Sequence, residues 1–119
     1  MAGWLRALMR SFRCAFAGLA FALRRERNLQ VHAMVTLVVA ALGFYLELSR
    51  WEWCAIALAA GLVWAAECFN TAIEVLCDRV TKEQDQRIRQ VKDTAAAAVL
   101  TAAMAASAVG VVIFWRKLF

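Results

Sequence analysis

The sequence predicts an all-α integral membrane protein, with an N-terminal amphipathic interfacial helix and three transmembrane helices. Three observations carry that prediction. Of 119 residues, 64% are hydrophobic and the mean hydropathy is +0.62, against roughly 45–50% apolar residues in a soluble domain. There is no proline and there are five glycines, so strands and tight turns have little support. Three apolar runs approach the ~20 residues that a bilayer crossing needs, and charged stretches separate them. The chain reads as a single membrane domain over residues 1–119. It is too short to enclose a pocket of its own, so oligomerisation is expected.

Residues 3–25 read as the interfacial helix. Trp4, Leu8, Phe12, Phe16, Leu19 and Leu23 follow the three-and-four spacing of one helix face, and Arg6, Arg10, Arg13 and Arg24 gather opposite. An Arg-rich, acid-poor N-terminus also has the look of a transit peptide. The Arg24-Arg25-Glu26-Arg27-Asn28 stretch argues for keeping it in the working protein, since Glu26 is the only acid before Glu47. The first span is expected over 31–48, with His32 at its start as an interfacial residue without chemistry. Glu47, Ser49, Arg50 and Glu52 make a polar turn flanked by Tyr45, Trp51 and Trp53, aromatics suited to the interface. The second span is expected over 53–76 and the third over 94–115. In the third, Ala95–Ala98, Ala102, Ala103, Ala105 and Ala106 allow close helix approach. Residues 77–93 between them read as a polar loop, part of it continuing the second helix.

The formal charge of +5 is unevenly spread. Arginines crowd the N-terminus and five Lys or Arg lie between Arg79 and Lys92, whereas the turn at 47–52 carries Arg50 alone. Positive-inside therefore puts the N-terminus and the 77–93 loop on the cytoplasmic side. The same clusters suit anionic head groups or phosphate. A chain this apolar offers little surface to nucleic acid. Cys14, Cys54, Cys68 and Cys77 show no CxxC spacing and there is one histidine, so no zinc site is indicated.

The chemistry concentrates at Glu67-Cys68-Phe69-Asn70-Thr71-Ala72-Ile73-Glu74-Val75-Leu76-Cys77-Asp78. At about 100° per residue, Glu67, Asn70, Glu74 and Asp78 share a sector of roughly 80°. Carboxylates at membrane depth cost at least ~2.5 kcal/mol each and usually mark a site. The bland alternative is that Glu67 and Glu74 pair with basic residues of another helix and only fix packing. Glu26, Glu74, Asp78, Asp93, Glu83 and Asp85 offer hard oxygen ligands of the kind Mg²⁺ takes one or two at a time beside phosphates. Lys92 and the N-terminal arginines could neutralise those phosphates. Glu67, deepest on the acidic face, suits a general base facing a substrate that arrives from the lipid. No GxxxxGK[ST], GxGxxG or protein-kinase signature is present. From spacing alone the residues describe a membrane site that uses a metal or protons.

At these residues the chain resembles the bacterial diacylglycerol kinase family, which includes the undecaprenol kinases. The matching pieces are Ser11-Phe12-Arg13-Cys14-Ala15-Phe16-Ala17-Gly18, Glu26-Arg27-Asn28, the Glu67–Glu74 stretch with Asp78, and Val91-Lys92-Asp93 with the alanine run after it. The likeness covers about residues 8–114. It implies a homotrimeric helical bundle with sites shared between subunits, in the bacterial cytoplasmic (inner) membrane. It implies ATP as co-substrate, Mg²⁺ as cofactor, and phosphate transfer to the primary hydroxyl of diacylglycerol or undecaprenol. By resemblance Glu67 is the catalytic base and Asn70 orients groups at the reaction centre. Glu26 and Glu74 are metal ligands that also face the nucleotide. Lys92 and Asp93 contact the nucleotide, Glu83 and Asp85 lie near it, Arg10 is a phosphate contact, and Asp78 supports the others from behind. Cys14 stands where some members carry tyrosine. The Asn-Thr-Ala-Ile-Glu and Glu-Arg-Asn wording is closer to the undecaprenol-kinase branch. The competing hypothesis is a non-enzymatic membrane protein whose buried glutamates relay protons.

Overall fold

The computed structural model describes residues 1–119, the side chain of Ala2 excepted. It is all-helical: α1 (Ala2–Arg25), α2 (Arg27–Tyr45), α3 (Arg50–Val80) and α4 (Gln86–Leu118). Helices α2, α3 and α4 are long and apolar enough to cross a membrane. The main packing is α3 on α4; α2 leans on α3, and α1 touches both α2 and α3.

Each helix is longer, or begins earlier, than the apolar pattern suggests, and local chemistry explains the difference. Helix α3 starts at Arg50 rather than 53 because Ser49 and Glu52 close a capping box: Ser49 Oγ accepts from the Glu52 amide at 3.4 Å, and Glu52 Oε2 accepts from the Ser49 amide at 2.7 Å. Helix α4 starts at Gln86 rather than 94 because the Asp85 carboxylate accepts from the amides of Arg87 (2.7 Å) and Ile88 (3.2 Å). The 77–93 stretch is therefore helical except at 81–85. Its Arg, Lys, Glu and Gln residues are good helix formers, so charge does not end the helices. Helix α2 runs from 27 to 45 instead of 31–48: Glu26, extended at φ −100° and ψ 115°, breaks the chain before it, and Glu47, at φ 51°, turns the chain after it.

The core sits at the turn end of the molecule. Leu48, Ile56 and Ile113 are buried together, with Val39, Trp53, Ala55, Val109 and Phe114 packed around them. Gly43 permits this close approach, because a Cβ there would lie 2.7 Å from Trp53 Cη2 and 3.0 Å from Leu48 Cδ1. Lys117 ties the end of α4 to the same turn, donating to the Glu47 carbonyl at 3.2 Å and pairing with Glu52 at 3.3 Å.

The helices form a slab of 52 × 47 × 20 Å rather than a sphere. Its accessible surface is 9478 Å²; a compact soluble chain of 13.2 kDa would expose about 6,400 Å². Much of the excess is apolar: Leu37, Phe44, Leu58, Phe69, Leu100 and Val111 all stand exposed. Water is a poor solvent for such a surface, and lipid or neighbouring apolar helices are good ones.

Candidate active site

The acidic face of α3 runs from Glu67, near the middle of the helix, to Asp78, near the end away from the core. Glu67 is 1% exposed, Thr71 2% and Asn70 8%, an unusual burial of polar groups in a molecule this open. The Thr71 hydroxyl donates to the Glu67 carbonyl at 2.9 Å and is satisfied within its own helix. Glu67 Oε1 and Asn70 Oδ1 are buried with no hydrogen-bond partner. Buried acceptors left in that state are costly and uncommon. Asn70 Nδ2 donates to Glu74 Oε1 at 3.4 Å, one turn further along. Glu26 and Glu74 both lie within electrostatic reach of Glu67.

Glu26 arrives there because the α1–α2 corner is one residue wide. The corner is pinned by the Glu26 amide on the Ala22 carbonyl at 2.8 Å and by Gln30 Nε2 on the Leu23 carbonyl at 2.9 Å. Leu29 and Ala22, both buried, fill its inner side. Arg25 then contacts Glu26 (3.2 Å) and, across the gap to α3, Asp78 (3.6 Å).

Asp78 and Lys92 lie beyond the apolar stretches 53–76 and 94–115. Lys92 Nζ donates to Asp78 Oδ1 at 2.6 Å, bracing α3 against α4. That hydrogen bond is the main reason the Asp78 carboxyl is held below the usual carboxylate range; the Arg25 and Lys82 charges add to it. The same contact holds the Lys92 ammonium above its ordinary value. Asp78 thus joins three helices through Arg25 and Lys92, a stronger role than the supporting one expected of it.

Lys92, Asp93, Glu83 and Asp85 line one polar cleft of about 870 Å³ with Asp78 and Lys82. The structure brings these four expected nucleotide residues together, although Asp85 also caps α4 and Asp93 also pairs with Arg89 at 4.0 Å. Arg10 is exposed on α1 and does not line that cleft.

His32 departs from expectation. Read from sequence as an interfacial residue without chemistry, it places its Nε2 3.4 Å from Glu67 Oε1, with no hydrogen bond between them. No sequence signal links positions 32 and 67, because the register of two helices is a tertiary property. Arg25 on Asp78 was missed for the same reason.

Among the described residues no three His, Cys, Asp or Glu side chains converge as a ready-made metal cage. Beside the one nitrogen of His32, the candidate ligand atoms on the acidic face are oxygens, two of them buried and unpartnered. That set fits a hard cation such as Mg²⁺, which takes one or two carboxylates and shares the rest of its shell with water and phosphate. Glu26 and Glu74 could hold such an ion.

Comparison with known proteins identifies the family. Residues 13–114 match the family model described as prokaryotic diacylglycerol kinase. The chain is 38% identical over 114 residues to an undecaprenol kinase of Bacillus subtilis, covering 96% of this chain and 93% of that protein. It is 36% identical over 104 residues to a diacylglycerol kinase of Synechocystis, covering 87% of this chain and 59% of that one. These matches set aside the non-enzymatic reading. A membrane slab with a sealed glutamate above a polar cleft, matched over most of its length to two lipid kinases, belongs to the prokaryotic diacylglycerol kinase family and is a lipid kinase of the diacylglycerol and undecaprenol kinase type.

Proposed function

We propose that this protein transfers the γ-phosphate of ATP, with Mg²⁺, to the primary hydroxyl of a membrane lipid, and that undecaprenol is the acceptor with diacylglycerol as the second candidate. The observation that carries the reading is the buried, unpartnered Oε1 of Glu67. A carboxylate in that state lacks a proton donor, and a lipid hydroxyl arriving from the bilayer would supply one. The lipid preference leans on the undecaprenol kinase relative, which matches over nearly the whole of both chains.

In this mechanism Glu67 accepts the proton as the lipid oxygen bonds to the γ-phosphorus and the bond to the β-phosphate oxygen breaks. Asn70 holds Glu74 through its amide and turns its own unpartnered Oδ1 toward the reacting groups. Glu26 and Glu74 hold the cation, which when bound supplies positive charge to the polyphosphate. Lys92 and Asp93 hold the nucleotide in the cleft that Glu83 and Asp85 border. Asp78 keeps Lys92 at the mouth of the site. Helix α1 lies in the head-group layer with its arginines toward the cytoplasmic face of the inner membrane. Three copies form a homotrimer that covers the exposed apolar flanks and completes each site.

The test is transfer of radiolabel from ATP by detergent-solubilised protein, with each lipid side by side and with or without Mg²⁺. Mg²⁺-dependent label in undecaprenol, faster than in diacylglycerol, is the expected result. No label in any lipid refutes the kinase reading; faster label in diacylglycerol refutes the lipid preference alone.

A further inference from the structure

The contact between His32 and Glu67 has no part in the activity derived so far. Glu67 is 1% exposed and its Oε1 lacks a hydrogen-bond partner, and an ionised carboxylate sealed from water needs a donor. From α2, His32 Nε2 stands 3.4 Å from that oxygen. The pair is held in register by a separate brace. The Thr36 hydroxyl donates to the His32 carbonyl at 2.7 Å, and Trp64 Nε1 of α3 donates to the Thr36 hydroxyl at 3.0 Å. Trp64 lies one helical turn before Glu67, so the brace sets the height of α2 against α3 where the two side chains meet. The brace uses the main chain of His32 and leaves its imidazole free for Glu67. A ring 27% exposed beside a carboxylate 2% exposed is also the route by which a sealed group keeps a polar neighbour.

We infer that His32 is a positioning residue for the phosphate transfer: its imidazole, 3.4 Å from Glu67 Oε1 and not yet hydrogen-bonded to it, turns to donate from Nε2 to that oxygen and directs the carboxylate at the acceptor hydroxyl. The inference rests on the kinase reading proposed above. Catalytic hydrogen bonds that are long or poorly aligned without substrate tighten once it is bound, and 3.4 Å leaves only a small turn of the ring to make this one. Glutamine carries an amide N–H close to where the imidazole Nε2 lies and cannot take up a proton. His32→Gln therefore keeps the donor, and His32→Ala removes it while the main-chain brace to Thr36 remains.

The experiment compares kcat and KM for wild type, H32A and H32Q with Mg²⁺-ATP and undecaprenol. A second readout uses the fact that the chain has one histidine: its ¹⁵N imidazole resonances need no assignment and can be followed in wild type and E67Q. Removing a hydrogen bond to a charged group predicts a fall in kcat of about tenfold or more in H32A, with both KM values within about threefold of wild type. H32Q recovers most of that loss, and E67Q moves the imidazole nitrogen resonances. Wild-type kcat in H32A, a loss confined to KM, no recovery in H32Q, or imidazole resonances unmoved by E67Q each overturns the inference. An inactive wild type would overturn the kinase reading and the inference with it; an active wild type with an indifferent H32A overturns the inference alone. Should H32A fail to fold, H32Q and the resonance comparison decide.

Discussion

Glu67→Gln is the most informative single change. The side chains have the same shape, so no cavity opens at a residue only 1% exposed. His32 Nε2, 3.4 Å away, can face the amide oxygen as it faces the carboxylate. What the amide loses is the capacity to accept a proton. Positioned general bases contribute about 10²–10⁴-fold, which corresponds to roughly 2.7–5.4 kcal/mol of barrier. The nucleotide should hardly notice. The base acts on the acceptor hydroxyl, and other residues hold the nucleotide. In a steady-state assay with saturating lipid, kcat should fall at least a hundredfold while the KM for ATP stays within about threefold. A variant with wild-type kcat would refute the base assignment. A variant whose loss lies in the KM for ATP would show that Glu67 serves the nucleotide instead.

Glu74→Gln should raise the Mg²⁺ concentration needed for half-maximal rate, read from a metal titration at fixed ATP; an unchanged titration would argue against ligation. Because the Asp78 carboxyl is held below its ordinary range by Lys92, its pairing stabilises the fold above the unfolded carboxyl's pKa and is lost as pH falls through the folded value. Melting temperatures of wild type and Asp78→Asn should therefore differ steadily through neutral pH and converge in acid, and a gap that persists in acid would exclude this cause. Gly43→Ala should destabilise by about 1–3 kcal/mol through the clash with Trp53 and Leu48, less up to about 1 kcal/mol of improved helix propensity. Trp53 cannot swing clear because its ring lies against Phe44, tilted at 48° with centroids 4.8 Å apart, and packs against the core. Unfolding in mixed micelles checks this, and a variant as stable as wild type would show that the ring yields.

The helical class and the acidic face of α3 were legible in the sequence because both are periodic along one chain. Glu67 and Asn70 turn inward together, as the 100° step requires. The helix ends were less legible, since apolar content marks the lipid-compatible part of a helix and not where its hydrogen bonding stops. Ser49 with Glu52 and Asp85 carried that information in their caps. The partners across helices were not legible at all. Whether His32 meets Glu67, or Arg25 meets Asp78, depends on how far one helix slides along another, and small residues at the contacts permit several registers. Family resemblance supplied the residue roles, which remain to be tested by the variants above.

The one-residue corner at Glu26 makes a long lever of a short joint. Helix α1, 24 residues long, is a rod of about 36 Å, held at its C-terminal end by the Glu26 amide on the Ala22 carbonyl and by Gln30 on the Leu23 carbonyl. A change of about 10° at that corner would carry the tip near Trp4 roughly 6 Å by the length just given. Two hydrogen bonds beside the acids therefore decide where the far end of the arm lies, and a longer, slacker joint in place of Glu26 would surrender that control.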